Sequence, residues 1–123
     1  MKVLIADDDR VLSHLLAGRL RALGWNVDLA GDAMQAVMFA IRNSPDVIVL
    51  DIQMPGGTGV DALRKLKASA KTCQVPVVVL TGSVDPDDEP SFLAQGAAAF
   101  VRKPADVDAL HETLLRQLGA ARS

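Results

Sequence analysis

The sequence predicts a doubly wound α/β domain, three layers deep, with a five-stranded parallel sheet of order 2-1-3-4-5 between helices. Three observations carry this. Short apolar runs alternate with segments of helical period along the whole chain, the pattern of βαβ units joined by right-handed crossovers. Two runs, Val47-Ile48-Val49-Leu50 and Val77-Val78-Val79-Leu80, are apolar on both alternating faces, as strands covered by helices on both sides are. Polar residues stand directly after three of the runs, as Asp7, Asp51 and Thr81.

The elements follow in order. Val3 to Ala6 is the first strand and ends at an acidic cluster. Arg10 to Leu23 is a helix with Leu12, Leu16, Leu20 and Leu23 on one face, stopped by Gly24. Trp25 to Ala30 alternates and is the second strand. Asp32 can cap a helix running to Arg42, with Ala33, Val37, Ala40 and Ile41 on its inner side, before Asn43-Ser44-Pro45 breaks the pattern. The third strand ends at Asp51, and Gly56-Gly57-Thr58-Gly59 leads into a helix from about Val60 to Ala70. Pro76 precedes the fourth strand, which ends at Thr81. Pro90 would cost about 3 kcal/mol inside a helix but suits a first turn. The sequence therefore predicts a loose acidic loop from Ser83, then a short fourth helix starting near Glu89 or Pro90 and stopped by Gly96. Ala98 to Val101 is the fifth strand, closed by Lys103-Pro104. Asp106 to Leu118 is the last helix, with Val107, Leu110, Leu114 and Leu118 in step. Residues 1–119 form one domain, and 120–123 are a tail or the start of a linker.

Composition narrows the function. A length of 123 residues suits a single domain. With three Phe, one Trp and no Tyr, the core is aliphatic and a stacking platform for single-stranded nucleic acid is absent. A net charge of −2 without a basic stripe argues against direct nucleic-acid binding. Cys73 is the sole cysteine, so no internal disulfide forms, and no signal peptide or long apolar run is present. The chain reads as cytoplasmic, without membrane attachment.

In such a sheet ligands bind outside the carboxyl ends of the strands, where the strand order reverses. That gathers Asp7, Asp8, Asp9, Asp51, Thr81, Gly82 and Lys103 at one end. Taken singly, each has an ordinary explanation as a cap, a turn or a surface charge. Together the carboxylates repel, by about 4 kcal/mol for two charges about 4 Å apart at an effective dielectric near 20. Such a cluster must hold protons or bind a cation, and Mg²⁺, which takes one or two carboxylates and keeps water and phosphate oxygens, suits it. With the ion in place one carboxylate becomes a plausible nucleophile towards phosphorus, and Lys103 and Thr81 can serve the transferred oxygens.

The segments Leu4-Ile5-Ala6-Asp7-Asp8, Asp51-Ile52-Gln53-Met54-Pro55 with Gly59, Leu80-Thr81-Gly82, and Ala97 to Pro104 resemble the signature segments of bacterial two-component response-regulator receivers, which share the flavodoxin-like fold. The spacings agree over nearly the whole chain. The resemblance implies a signalling phosphoacceptor rather than an enzyme, with Asp51 accepting a phosphoryl group from a histidine kinase or a histidine phosphotransfer protein. It implies Mg²⁺, with Mn²⁺ as a substitute, ligated by Asp51, by Asp8, by Asp7 directly or through water, and by the Gln53 backbone carbonyl. Thr81 is then the switch hydroxyl and Phe100 the switch aromatic, which alter the surface of helix four, strand five and helix five that an unidentified downstream partner reads. Lys103 pairs with the phosphoryl group, and its bond to Pro104 is expected to be cis. Gln53 and Ser83, at places that tune loss of the phosphoryl group, are neither acids nor strong bases, so fast self-dephosphorylation is not expected.

Asp9, the extra acid, reads as a cap or an exposed residue. Val11, His14, Leu15 and Gly18 on the first helix are candidates for docking the phosphodonor, the alternative being a wide core face with a tolerated glycine. His14 and His111 lack ligand partners at metal spacing, and some of Met34, Met38 and Phe39 must face outward. Nothing indicates more than a monomer or weak dimer. The enzyme alternative is a phosphatase of the haloacid-dehalogenase type with Asp7 as nucleophile and Asp9 as acid, which leaves Asp51 without a role. A flavin module of the same architecture would need a phosphate cradle where Asp7-Asp8-Asp9 stands.

Overall fold

Five strands and five helices alternate in a computed structural model that describes residues 1–52, 59–82, 88–103 and 107–122, with the side chains of 88, 89 and 120–122 left aside. They are β1 (Lys2–Ala6), α1 (Arg10–Ala22), β2 (Asn26–Ala30), α2 (Ala33–Asn43), β3 (Val47–Asp51), α3 (Gly59–Ala68), β4 (Val77–Thr81), α4 (Asp88–Ala94), β5 (Ala99–Arg102) and α5 (Val107–Arg122). All strand pairs are parallel, in the order β2-β1-β3-β4-β5. This is the order expected from the sequence.

The uniformly apolar runs occupy the middle of the sheet. Every residue of β3 and of β4 is buried, including Asp51 and Thr81. Alternation along these strands feeds two cores. Leu4, Ile48, Leu50 and Val79 pack beneath α2, α3 and α4, whereas Val3, Ile5, Val49 and Leu80 pack beneath α1 and α5. Trp25 closes the second core and meets His111 edge-on at 6.0 Å, so His111 is half-buried against a ring rather than solvated.

Helix ends follow local chemistry. The Asp9 carboxylate caps α1 by accepting from the Leu12 N–H at 3.0 Å, and the Asp32 carboxylate caps α2 by accepting from the Gln35 N–H at 2.8 Å. Gly24 and Gly96, at φ +98° and +105°, turn the chain out of α1 and α4 in a conformation that L side chains rarely adopt.

Several expectations need correction. Leu23 is 52% exposed at the end of α1, and Ile41 is on the outer face of α2, whose inner face is formed by Ala33, Ala36 and Ala40. The short fourth helix expected from near Glu89 or Pro90 is borne out, being described from Asp88 to Ala94. The acidic loop expected before it lies mostly outside the described residues. The last helix runs past the expected stop at Leu118 to Arg122, because Gly119 lowers helix propensity by only about 1 kcal/mol and does not end a helix by itself.

Candidate functional site

The site forms where strand order reverses, at the carboxyl ends of β1 and β3. Ala6 pairs with Leu50, so the register carries Asp7 opposite Asp51. Asp51 in turn pairs with Leu80, which puts Thr81 one position further along, and Thr81 pairs with Arg102. The Lys103 N–H donates to the Thr81 carbonyl at 2.7 Å, which extends the β4–β5 ladder and sends Lys103 over the end of the sheet.

There its ammonium meets both buried acids. Lys103 Nζ donates to Asp51 Oδ2 at 3.1 Å and lies 3.1 Å from Asp7 Oδ2. The two contacts are not alike: the approach to Asp7 has the distance of an ion pair without the alignment of a hydrogen bond, and Asp7 Oδ2 accepts no hydrogen bond from the described residues. Asp8, exposed, completes a trio in which one oxygen from each of Asp7, Asp8 and Asp51 lies within 4.8 Å of the others.

Asp7 is held at three atoms. Its N–H donates to the Ala30 carbonyl at 3.0 Å, its Oδ1 accepts from the Asp9 N–H at 2.9 Å, and its carbonyl accepts from the Ser13 hydroxyl at 3.4 Å. Burial pushes the Asp7 carboxyl above the usual carboxylate range, and Asp51 adds to the rise, against the opposing pull of the Asp9 N–H and Lys103. Burial alone would lower the Lys103 ammonium, but Asp7 and Asp51 outweigh it and raise it above the ordinary lysine value.

The donor set fits a hard divalent cation. All its atoms are carboxylate oxygens, and one of them, Asp7 Oδ2, is a buried acceptor that lacks a hydrogen bond among the described residues.

The sequence-derived site residues fall into clear groups. Asp7, Asp8, Asp51 and Lys103 come together, and Thr81 is buried at the adjoining strand end. Asp9 stands outside the trio, its carboxylate turned to the α1 cap. Phe100 is half-buried, stacks on Phe92 of α4 with centroids 5.8 Å apart, and has the Arg102 guanidinium 5.7 Å above its ring. Val11, His14, Leu15 and Gly18 form one exposed stripe on α1, so they are not a widened core face, and a Cβ at Gly18 would touch nothing within 4 Å. Gln53, Ser83 and the Lys103–Pro104 bond with its expected cis geometry involve positions outside the described residues.

Sequence reasoning missed Ser13. It is buried on the inner face of α1 and ties that helix to the Asp7 carbonyl; a hydroxyl on an otherwise leucine-lined stripe was its signal.

A buried acid pair bridged by a lysine thus lies at the switch point of the doubly wound sheet, where a flavin module would need a phosphate cradle instead. The chain belongs to the response regulator receiver domain family, whose model matches residues 3–115. It is a receiver of a two-component system, a signalling phosphoacceptor rather than an enzyme, which removes the phosphatase alternative; receivers partner histidine kinases. It is 37% identical to the probable transcriptional regulatory protein TcrX of Mycobacterium tuberculosis over 93% of this chain and 47% of that protein. It is also 37% identical to the response regulator PleD of Caulobacter vibrioides, over 85% of this chain and 23% of that protein. The chain thus spans half or less of these curated relatives. Among solved structures it resembles the receiver domain of a sensor histidine kinase from Pseudomonas aeruginosa, described with magnesium coordinated in its active-site cleft. That match has 30% identity and a TM-score of 0.88, over 96% of this chain and 97% of that one. Among the described residues no helix is long and apolar enough to cross a membrane.

Proposed function

We propose that this receiver takes a phosphoryl group on Asp51 from the phosphohistidine of a histidine kinase or a histidine phosphotransfer protein. The observation that carries the reading is the position of Lys103, 3.1 Å from Oδ2 of both Asp7 and Asp51. An ammonium held beside the acceptor carboxylate is preorganised for the oxygens of an incoming phosphoryl group. In the transfer an Asp51 oxygen attacks phosphorus, the P–N bond to the donor imidazole breaks, and the imidazole leaves with the electron pair.

Asp7, Asp8 and Asp51, with the Gln53 backbone carbonyl, would hold Mg²⁺ or Mn²⁺. Bound there, the ion supplies positive charge to the transferred oxygens. The hydrogen-bond-deficient Asp7 Oδ2 supports this, as does the magnesium described in the Pseudomonas receiver.

Thr81 is the hydroxyl that turns to the new phosphoryl group, and Phe100 transmits the change. Its stack on Phe92 links the strand beside Lys103 to α4, so motion of Phe100 alters the face formed by α4, β5 and α5. Phosphodonor docking falls to the α1 stripe of Val11, His14, Leu15 and Gly18, where Val11 and Leu15 are 73% and 61% exposed. We assign the signalling role to residues 1–119, in the cytoplasm, acting as a monomer or weak dimer on a downstream protein. The test is phosphotransfer from a panel of purified histidine kinases and phosphotransfer proteins. At least one should label the wild type in Mg²⁺ and leave Asp51→Asn unlabelled; label retained by Asp51→Asn overturns the assignment.

A further inference from the structure

We propose that Asp9 is a positioning residue for the cation pocket: by capping α1 it aims its own N–H at Asp7, so that Asp7 offers Oδ2 alone to the ion. The inference rests on the reading of Asp7, Asp8 and Asp51 as a cation site, and adds a residue outside that trio.

The geometry runs through one short loop. Asp9 is extended, at φ −78° and ψ 98°, with its carboxylate on the Leu12 N–H and its carbonyl accepting from the Ser13 N–H at 2.9 Å. These two bonds fix the orientation of Asp9 against the first turn of α1. Its remaining backbone donor then points back at Asp7 Oδ1, 2.9 Å away. Ser13, on the same turn, holds the Asp7 carbonyl, and Ala30 holds the Asp7 N–H. Asp7 is thereby restrained at its N–H, its carbonyl and Oδ1. The atom left without a hydrogen bond from the described residues is Oδ2, on the side facing Asp51 and Lys103. A carboxylate free to rotate could present either oxygen or both; this one presents a single, defined oxygen. Outer partners that orient metal ligands in this way typically contribute 10–100-fold to metal affinity.

Charge and cap can be separated. Asn caps a helix as well as Asp does, whereas Ala does not cap. Because the Asp9 side chain is exposed, its charge acts on the pocket through water, whose high dielectric weakens it. Asp32 provides a matched control: it caps α2 through the same Oδ1-to-N–H contact and does not bond to Asp7.

The experiment is calorimetric titration of Mg²⁺ into the full chain, without phosphodonor, at 0.15 M salt. Wild type, Asp9→Asn and Asp32→Ala should bind alike, and Asp9→Ala should bind roughly tenfold more weakly. If Asp9→Ala is too unstable to titrate, Asp9→Gly removes the acceptor oxygen while keeping most of the cap's stability, and should show the same loss. Equal weakening by Asn and Ala would make Asp9 a charge or a ligand and overturn the proposal. So would unchanged affinity in Asp9→Ala, or an equal loss in Asp32→Ala, which would reflect helix stability in general. A wild type that takes up no Mg²⁺ overturns the cation site itself, and this inference with it.

Discussion

Lys103 reaches from the end of β5 across β4 to donate to Asp51 on β3, Nζ to Oδ2, at 3.1 Å. The same ammonium lies against Asp7, so one cation separates two buried carboxylates from two strands. The site is therefore held in tension between repulsion of the acids and attraction to the lysine, and its response to substitution can be stated.

Lys103→Met should destabilise the metal-free protein by about 2–3 kcal/mol at neutral pH. That is near the low end for breaking a buried pair, because the Lys103 side chain is 24% exposed. Mg²⁺ would replace the missing charge, so the deficit should shrink when urea unfolding is repeated in millimolar Mg²⁺. A deficit that is the same with and without the ion would mean that Lys103 acts through packing.

Asp7→Asn should stabilise the metal-free protein at neutral pH, because burial and the neighbouring Asp51 disfavour the charged form of the Asp7 carboxyl. The sign follows from linkage. The folded-state pKa of Asp7 is raised above 3.8, so its contribution to stability is complete below that value and is lost as pH rises through the folded value. The wild type should therefore lose stability across this window relative to Asp7→Asn. Parallel stability–pH curves for the two proteins would contradict the assignment.

Mg²⁺ at a hundredfold excess over its Kd should raise wild-type stability by about 2.7 kcal/mol, read as a rise in Tm. Asp7→Asn and Asp8→Asn should lose most of that rise, since each removes one oxygen donor of the trio. A rise unaltered in both variants would place the ion elsewhere.

Phe100, labelled with fluorine on its ring, should change its NMR shift when beryllofluoride is added, because its stack on Phe92 must loosen for the ring to move. Phe92→Leu should reduce that change without altering phosphorylation of Asp51. A resonance indifferent to beryllofluoride would remove Phe100 from the switch.

Much of this was legible in the sequence, for identifiable reasons. Strands apolar on both faces suit the centre of a covered sheet, so Val47 to Leu50 and Val77 to Leu80 located the core; right-handed crossovers allow more than one strand order, and the observed one is the 2-1-3-4-5 expected. Asp7, Asp8, Asp51 and Lys103 were found because strand ends are where such a sheet places chemistry. Asp9, expected to be a cap or an exposed residue, is both, its carboxylate on the Leu12 N–H. What the sequence hid was the difference between Asp7 and Asp8: two identical residues gave no sign that the first is buried and the second exposed, which backbone direction at the strand's exit decides. Inner and outer positions on α2 were misjudged at Ile41, which is exposed, while Ala36, small and undistinguished in the sequence, is buried. Pro90 was informative because its missing N–H admits few helix positions, whereas Gly119 misled because glycine weakens a helix without ending it.

The central claim is that Asp51, and not Asp7, is the acceptor. Acetyl phosphate with Mg²⁺, followed by peptide mass spectrometry of the acyl phosphate trapped with borohydride, tests it most directly. The account predicts modification confined to Asp51, dependent on Mg²⁺ and abolished in Asp51→Asn. Modification at Asp7, or labelling of Asp51 that persists without any divalent cation, would contradict it.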